Sequence, residues 1–462
     1  MKIESLLAQH VAATTFKGLS PAAIAAAKRS LIDTIVVALG ARGAQGLSES
    51  MRASLTDEEH GSSTIWHTGK GTSARSAAFV NSIAAAALDF DSIYPFAAVH
   101  PDIVVVPVAL ALSESRSLSG QDLLCAIAVG GDLICRLAKG TTKNSGWFYT
   151  SVYGAITAAA LTARLLNSSE RSVANAMGLG FLNASGTYQP VIERSLSKRA
   201  LAAFSVDAGV LCGRLAAEGF VGPSDWLTGK HGIDGQYETC DITKISNDIG
   251  RVFENAHISI KPYPSCQCNH AALDALLALR ADHSLTKENI AEIQVFVSPY
   301  MNRLVGAPYS PGLIPQVAAQ FSIQYSLARA LFDGRLGIAE ISDSAACDPQ
   351  VISFVSRIQV TVAPDNQQNY CPATVRVRKV DGTFVEHTAT QLRGSADAPL
   401  DEAELAAKVK DCLAAGGYGT REPIASEIVD MLMHIDRELN VNLVMTDLMN
   451  LLKDGKASVT SN

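Results

Sequence analysis

Two aspartates and a histidine fall inside one short stretch, Ala87-Leu-Asp-Phe-Asp-Ser-Ile-Tyr-Pro-Phe-Ala-Ala-Val-His-Pro101. An Ala-rich apolar run ends at Asp89 and Asp91. A loop containing Pro95 follows, and His100-Pro101 leads into a second apolar run from Ile103. Charge at the end of a buried helix is costly unless it is paired or used. Loops between rigid helices are also where chemistry concentrates. An acid and an imidazole so placed can pass protons to and from a bound small molecule. The same residues can equally cap a helix and brace a loop.

Two lysines invite a similar reading. Lys198 lies in Arg194-Ser-Leu-Ser-Lys-Arg199, at the mouth of an apolar helix, and Lys261 in His257-Ile-Ser-Ile-Lys-Pro-Tyr-Pro264. A lysine ending an apolar segment can hold a carboxylate or, with a shifted pKa, act as a base. Taken singly, each is more simply a solvated lysine; what sets them apart is that both fall at the edge of the same inferred cleft. Tyr325 falls within an apolar helix, where a tyrosine is ordinarily core with a satisfied hydroxyl. His270, next to Asn269, stands where a helix starts, so a structural role competes with a chemical one. Cys266-Gln-Cys-Asn-His270 looks like a metal knuckle but has no second ligand pair at zinc spacing. Ser195-Leu-Ser-Lys198 lacks the companion motifs of Ser-x-x-Lys enzymes. Gly69-Lys-Gly-Thr72 lacks the P-loop spacing, and no complete dinucleotide fingerprint follows a strand. No nucleotide, flavin or metal cofactor is therefore expected.

These residues need elements to hold them. Ser20-Pro21 supplies an N-cap and a proline in the first turn. Ile24, Ala27, Leu31, Ile35 and Leu39 then give an apolar face at helical spacing, which Gly40 ends. Further helices are predicted over 74–88, 103–114, 120–138, 153–166, 170–182 and 200–218. Many are Ala-rich and apolar on several faces, as in a multilayer bundle. The pattern changes near residue 258. Strands are predicted at 292–297 and 357–362, and a hairpin at 373–380 and 383–390 around Asp381-Gly382. Helices at 270–280 and 315–332 interrupt them. Helical periodicity returns at 403–413, 424–437 and 443–452. The expected fold is mainly α. A large all-helical domain (residues 1–257 plus 400–462) carries an inserted, smaller α+β domain (258–399), with the active cleft between them.

The 462 residues are 48% hydrophobic and 18% charged, with a net charge of -7. That composition builds large cores and argues against disorder. No Lys/Arg cluster stands out, so no nucleic-acid partner is expected. Met1–His10 lacks the apolar core of a signal peptide. Runs such as 103–112 fall short of the roughly 18 residues of a membrane span, so no membrane partner is expected. The nine cysteines are scattered and read as small hydrophobes in a reducing, cytoplasmic setting.

In order along nearly the whole chain, Leu88-Asp-Phe-Asp91, His100-Pro101, Lys198-Arg199, Lys261-Pro-Tyr-Pro264 with His270, Phe321-Ser-Ile-Gln-Tyr325, and Pro372-Ala-Thr-Val-Arg-Val377 with Asp381-Gly382 resemble the MmgE/PrpD family. The resemblance implies a cofactor-independent homodimer acting on small di- or tricarboxylates. Its catalytic residues would match Asp89, His100, Lys198, Lys261 and Tyr325. Asp91, Phe148, Tyr149, Arg199 and His270 would contact substrate. His100, oriented by Asp89, would handle the proton while the lysines hold carboxylates. The chain departs from the family pattern in four places. Gly146-Trp-Phe-Tyr-Thr150 puts Phe148 where relatives usually carry a histidine. Asp89-Phe-Asp-Ser-Ile93 replaces Asp-Phe-Asp-Asp-Thr, His100-Pro-Asp102 replaces His-Pro-Ser, and Ala200-Leu201 stands where many relatives have Leu-His. The pocket should therefore be less polar and lack one acid/base. A 2-methylcitrate dehydratase-like lyase is the leading expectation, followed by an epimerase of an iminodisuccinate-type acid or a cis-aconitate-type decarboxylase. A non-catalytic carboxylate-binding paralogue is the reading from another class.

Overall fold

The computed structural model describes residues 2–55, 60–143, 145–419 and 422–457. Helices dominate, with one short hairpin and one four-stranded sheet. The first helices begin where their caps dictate. Ser20 Oγ accepts from Ala23 N ahead of Pro21–Gly40, and Ser119 and Asp122 form a reciprocal capping box ahead of Gly120–Gly140. Tyr149–Leu165 packs directly on Leu201–Ala217. Small residues permit that approach: a methyl group at Gly209 would lie 2.5 Å from Ala158 Cβ. The hairpin β1 (Ser63–Ile65) and β2 (Lys70–Thr72) sits against this bundle.

Among the described residues, two hydrophobic cores are present. The first draws on the helices before residue 259 and on the tail helices Glu402–Ala415, Glu422–Met433 and Val441–Ala457. The second draws on residues between Tyr263 and Leu392, with Ile93 and Val191 reaching in from the first. In the second region β3 (Ile290–Val297) is central. It pairs in parallel with β4 (Ile358–Val362) and antiparallel with β5 (Ala373–Lys379), which turns at Gly382 into β6 (Phe384–Ala389). Ile290, Ile293, Val295 and Val297 of β3 point into this core, against the helices His270–His283 and Ile323–Asp333.

The structure differs from expectation in three places that matter. The helix predicted over 315–332 is two helices, Pro315–Gln320 and Ile323–Asp333, because Ser322 Oγ caps the second by accepting from Tyr325 N. The helix predicted from 200 is preceded by a 3-10 turn, Leu196–Ala200, which carries Lys198. Contrary to the reading of the apolar runs, the helical segment Leu196–Ala217 is long and apolar enough to cross a membrane. Half of its most apolar window is buried inside the protein.

Candidate active site

The loop after Ala74–Ala86 enters the gap between the two cores. It is pinned there by a bridge between Ile93 and Ser259 and by its own turn from Tyr94 to Val99. Asp89 stands at its start with φ +51°, a left-handed conformation that costs a non-glycine residue about 1 kcal/mol or more. That conformation delivers its carboxylate to two lysines at once. Lys198 Nζ donates to Oδ1 from the 3-10 turn, and Lys261 Nζ donates to Oδ2 at 3.3 Å and to the Asp89 carbonyl at 2.8 Å. Asp89 is 3% exposed and Lys261 fully buried. Burial would raise the Asp89 carboxyl, but the charges of Lys198 and Lys261 outweigh it and hold the group well below the usual carboxylate range. The same pairing raises Lys198, against a burial effect that works to lower it.

His100 is held separately. Its Nδ1 lies 2.8 Å from Asp91 Oδ2 and 3.1 Å from the Ser92 carbonyl, and its backbone N–H donates to Thr150 Oγ1 at 3.0 Å. With Nδ1 so occupied, Nε2 is the nitrogen left to meet a ligand. Asp91 thus orients the imidazole, and Asp89, expected in that role, is the lysines' counter-ion instead. Asp91 is buried; burial would raise its carboxyl, and His100 and Lys261 prevail in lowering it. One residue further on, Ser92 Oγ donates to Asp102 at 2.6 Å, and burial pushes the Asp102 carboxyl up to about 6.

Asp89, His100, Lys198 and Lys261 line one cavity of about 40 Å³. Phe148 forms part of its wall, stacked on His100 at 6.3 Å and met edge-on by Tyr188. Four residues expected at the site are committed elsewhere. Tyr325 faces the second core, packs on Tyr309 and donates its hydroxyl to the Glu340 carbonyl at 2.5 Å; the helix break brings Phe321 to the cavity in its place. Tyr149 donates to the Lys143 carbonyl. Arg199 bonds the Gln45 carbonyl and Gln316 Oε1, both at 2.7 Å, so it bolts the two regions together beside Lys198. His270 Nε2 meets the Ser265 carbonyl at 3.1 Å. Burial first, and Lys261 second, push the His270 imidazole down to about 3, so it is a neutral support behind the site.

Sequence reasoning passes over several residues. Lys408, from the tail helix Glu402–Ala415, is 4% exposed. It donates to the carbonyls of Phe90 and Lys261, each at 3.0 Å, and pairs with Asp33 at 2.5 Å. The tail thereby fixes the backbone on both sides of the lysine–aspartate cluster. A lysine in an amphipathic surface helix gives no sign of this. Tyr188, Tyr300 and Tyr370 also line the cavity, as do Cys266 and Cys268, whose spacing suggests only zinc ligation when read in sequence. Among the described residues, no group of three or more His, Cys, Asp or Glu side chains could hold a metal ion.

Comparison with known proteins places these residues in a family. The MmgE/PrpD N-terminal domain matches residues 5–241, and the MmgE/PrpD C-terminal domain matches residues 263–432, running past the sheet into the tail helices. A cis-aconitate decarboxylase of Aspergillus terreus strain NIH 2624 is 26% identical over 439 residues, covering 89% of this chain and 88% of its own. The mouse cis-aconitate decarboxylase is 24% identical, covering 83% and 81%, and the human one is 26% identical, covering 72% and 71%. Both halves of the chain, lysine–aspartate cluster and sheet alike, fall within matched segments, and the chain belongs to the MmgE/PrpD family, a family of carboxylic-acid lyase and dehydratase type.

Proposed function

We propose that this protein is a cofactor-independent lyase that generates a carbanion next to a carboxylate of a small di- or tricarboxylic acid. The observation that carries this reading is the convergence of Lys198 and Lys261 on one buried aspartate, beside an imidazole oriented by Asp91. A substrate carboxylate entering that cavity meets two lysine side chains already fixed in position. Negative charge delocalised from the reacting carbon into that carboxylate is stabilised without reorganisation of the site. His100 Nε2 then gives or takes the proton.

Among the reactions open to such a site, loss of CO2 from an unsaturated tricarboxylate of the cis-aconitate class comes first. Hydroxide is a poor leaving group and needs an acid at its oxygen, whereas CO2 departs without one. Phe148, which resembles a replacement for a family histidine, can supply no proton. The relatives' named activity supports the same order. Epimerisation of a dicarboxylate is the second reading, because it needs only proton exchange at carbon.

Proton NMR in deuterated buffer tests the proposal with cis-aconitate, citrate, 2-methylcitrate and amino- or iminodicarboxylates. Loss of a carboxyl group with deuterium entering the product is expected for an acid of the first class. Exchange of a C–H without net loss would favour epimerisation. Neither turnover nor exchange with any of these acids would leave a carboxylate binder and defeat the lyase reading.

A further inference from the structure

The lysine clamp and the His100–Asp91 pair do not use all the chemistry in this cavity. Cys266 and Cys268 both line it, with Gln267 between them. The turn that carries them, a 3-10 segment over Gln267–Asn269, hangs on one carbonyl. Cys266 N donates to Gln320 O at 2.9 Å, and Asn269 Nδ2 donates to the same oxygen at 3.0 Å. Cys266 is half-buried, whereas Cys268 is fully buried. Gln267 is 1% exposed, and neither its Oε1 nor its Nε2 has a hydrogen-bond partner among the described residues. A buried amide left unpaired costs free energy that a polar ligand would recover. This wall of the cavity is therefore suited to a polar molecule, and the two thiols flank its centre.

We propose that Cys266 is a second proton-transfer residue of this site, exchanging a proton with the substrate carbon next to the clamped carboxylate. The proposal rests on the lyase reading above and names the group that takes up the acid–base role Phe148 cannot fill.

In the thiolate form, the sulfur accepts the proton: an S–H bond forms, the C–H bond breaks, and its electron pair passes into the carboxylate held by Lys198 and Lys261. In the thiol form the reverse holds. When a C–C bond breaks with loss of CO2, its electron pair stays on carbon; the S–H bond then breaks, a C–H bond forms, and water returns a proton to the sulfur. The surroundings suit both steps. The charged and titratable groups that act on the thiol pair are Lys261, Lys198 and Asp89, with Tyr188, Tyr300 and Tyr370 of the same cavity lining. The hydrogen bond from Cys268 lowers the Cys266 thiol more than burial raises it, with Lys261 lowering it and Asp89 raising it. Cys268 is driven up, by burial first. Cys266 is thus the sulfur of the pair whose proton is the more easily given up, and Cys268 the one that keeps its own.

Two measurements on the full chain test this. Alkylation by iodoacetamide, followed by peptide mass spectrometry, is run with and without tricarballylate, a saturated tricarboxylate. Saturating tricarballylate should slow labelling of Cys266 about tenfold and leave the exposed Cys347 unaffected. Unprotected labelling of Cys266 would overturn the proposal. The second measurement is steady-state turnover and deuterium exchange of Cys266→Ala and Cys266→Ser, with folding checked by circular dichroism. Cys266→Ala should lose roughly 10²–10⁴ in kcat with KM within about threefold of wild type, and Cys266→Ser should fall between. Cys268→Ala should move upward the limb of the pH–rate profile that Cys266 sets, the alkaline limb for loss of CO2 and the acidic limb for proton abstraction, since the hydrogen bonding that lowers its thiol is lost. A folded Cys266→Ala with the wild-type kcat would overturn the assignment. If the wild type itself turns over no acid, the lyase reading fails, and tricarballylate protection alone then decides whether Cys266 faces the carboxylate site.

Discussion

Asp89 and Asp91 are separated by a single residue and do different work. The left-handed backbone at Asp89 turns its carboxylate to the lysines, while Asp91 lies against the imidazole. Removing either function should be visible in kinetics. His100→Asn should lower kcat by roughly 10²–10⁴ without changing the fold. Lys261→Met should lower kcat and also cost about 3–5 kcal/mol of stability, because Asp89 stays buried with one partner fewer. Chemical denaturation alongside turnover separates the two effects. His270 gives a pH signature. Its imidazole titrates at about 3 in the folded protein, against 6.5 for an unperturbed histidine. The unfolded chain therefore binds the extra proton between those values, so this residue makes stability fall as pH drops from about 6.5 towards 3. His270→Asn should flatten that part of a pH–stability curve; an unchanged slope would mean His270 does not titrate there. At this scale the sequence is informative where residue type alone constrains chemistry, as for Asp89, His100 and the two lysines. It is silent where the partner decides: nothing in the Tyr325 neighbourhood announces that its hydroxyl is already spent on the Glu340 carbonyl.

Elements position these residues through breaks more than through regular helix. Lys198 rides on a 3-10 turn ahead of a long helix, and Phe321 reaches the cavity because Ser322 starts a new helix. The second break lies in sequence without glycine or proline, so periodicity runs straight across it. The β-hairpin is legible, since Asp381-Gly382 marks its turn directly and the strands differ from expectation by only a residue or so. The tail helix Glu402–Ala415 carries the least expected task, with Lys408 holding the Phe90 and Lys261 carbonyls. Lys408→Ala should destabilise the protein by about 3–5 kcal/mol by stranding Asp33. The double variant Asp33→Asn/Lys408→Met should recover much of that stability while kcat stays low, because both carbonyls still lack their donor. Recovery of kcat along with stability would show that Lys408 has no part in positioning the site.

At the scale of the molecule, the two cores share a seam, and the charged groups of the site arrive at it from four segments: the 89–100 loop, the 196–200 turn, the chain after Ser259 and the tail. The helical region also exposes Leu182, Phe204, Leu211 and Phe220. We propose that these side chains meet a second copy of the chain. Light scattering after size exclusion should then give twice the 48.7 kDa of one chain, and Phe204→Glu should shift the mass towards the monomer. The cavity at the seam is tight, about 40 Å³ against about 490 Å³ for the outer cleft beside it. Tyr370 lines both, and we propose that it is the door between them. If Tyr370 moves aside for a substrate to pass, kcat/KM should decline with relative viscosity in solutions thickened with sucrose in the wild type, but much less in Tyr370→Ala.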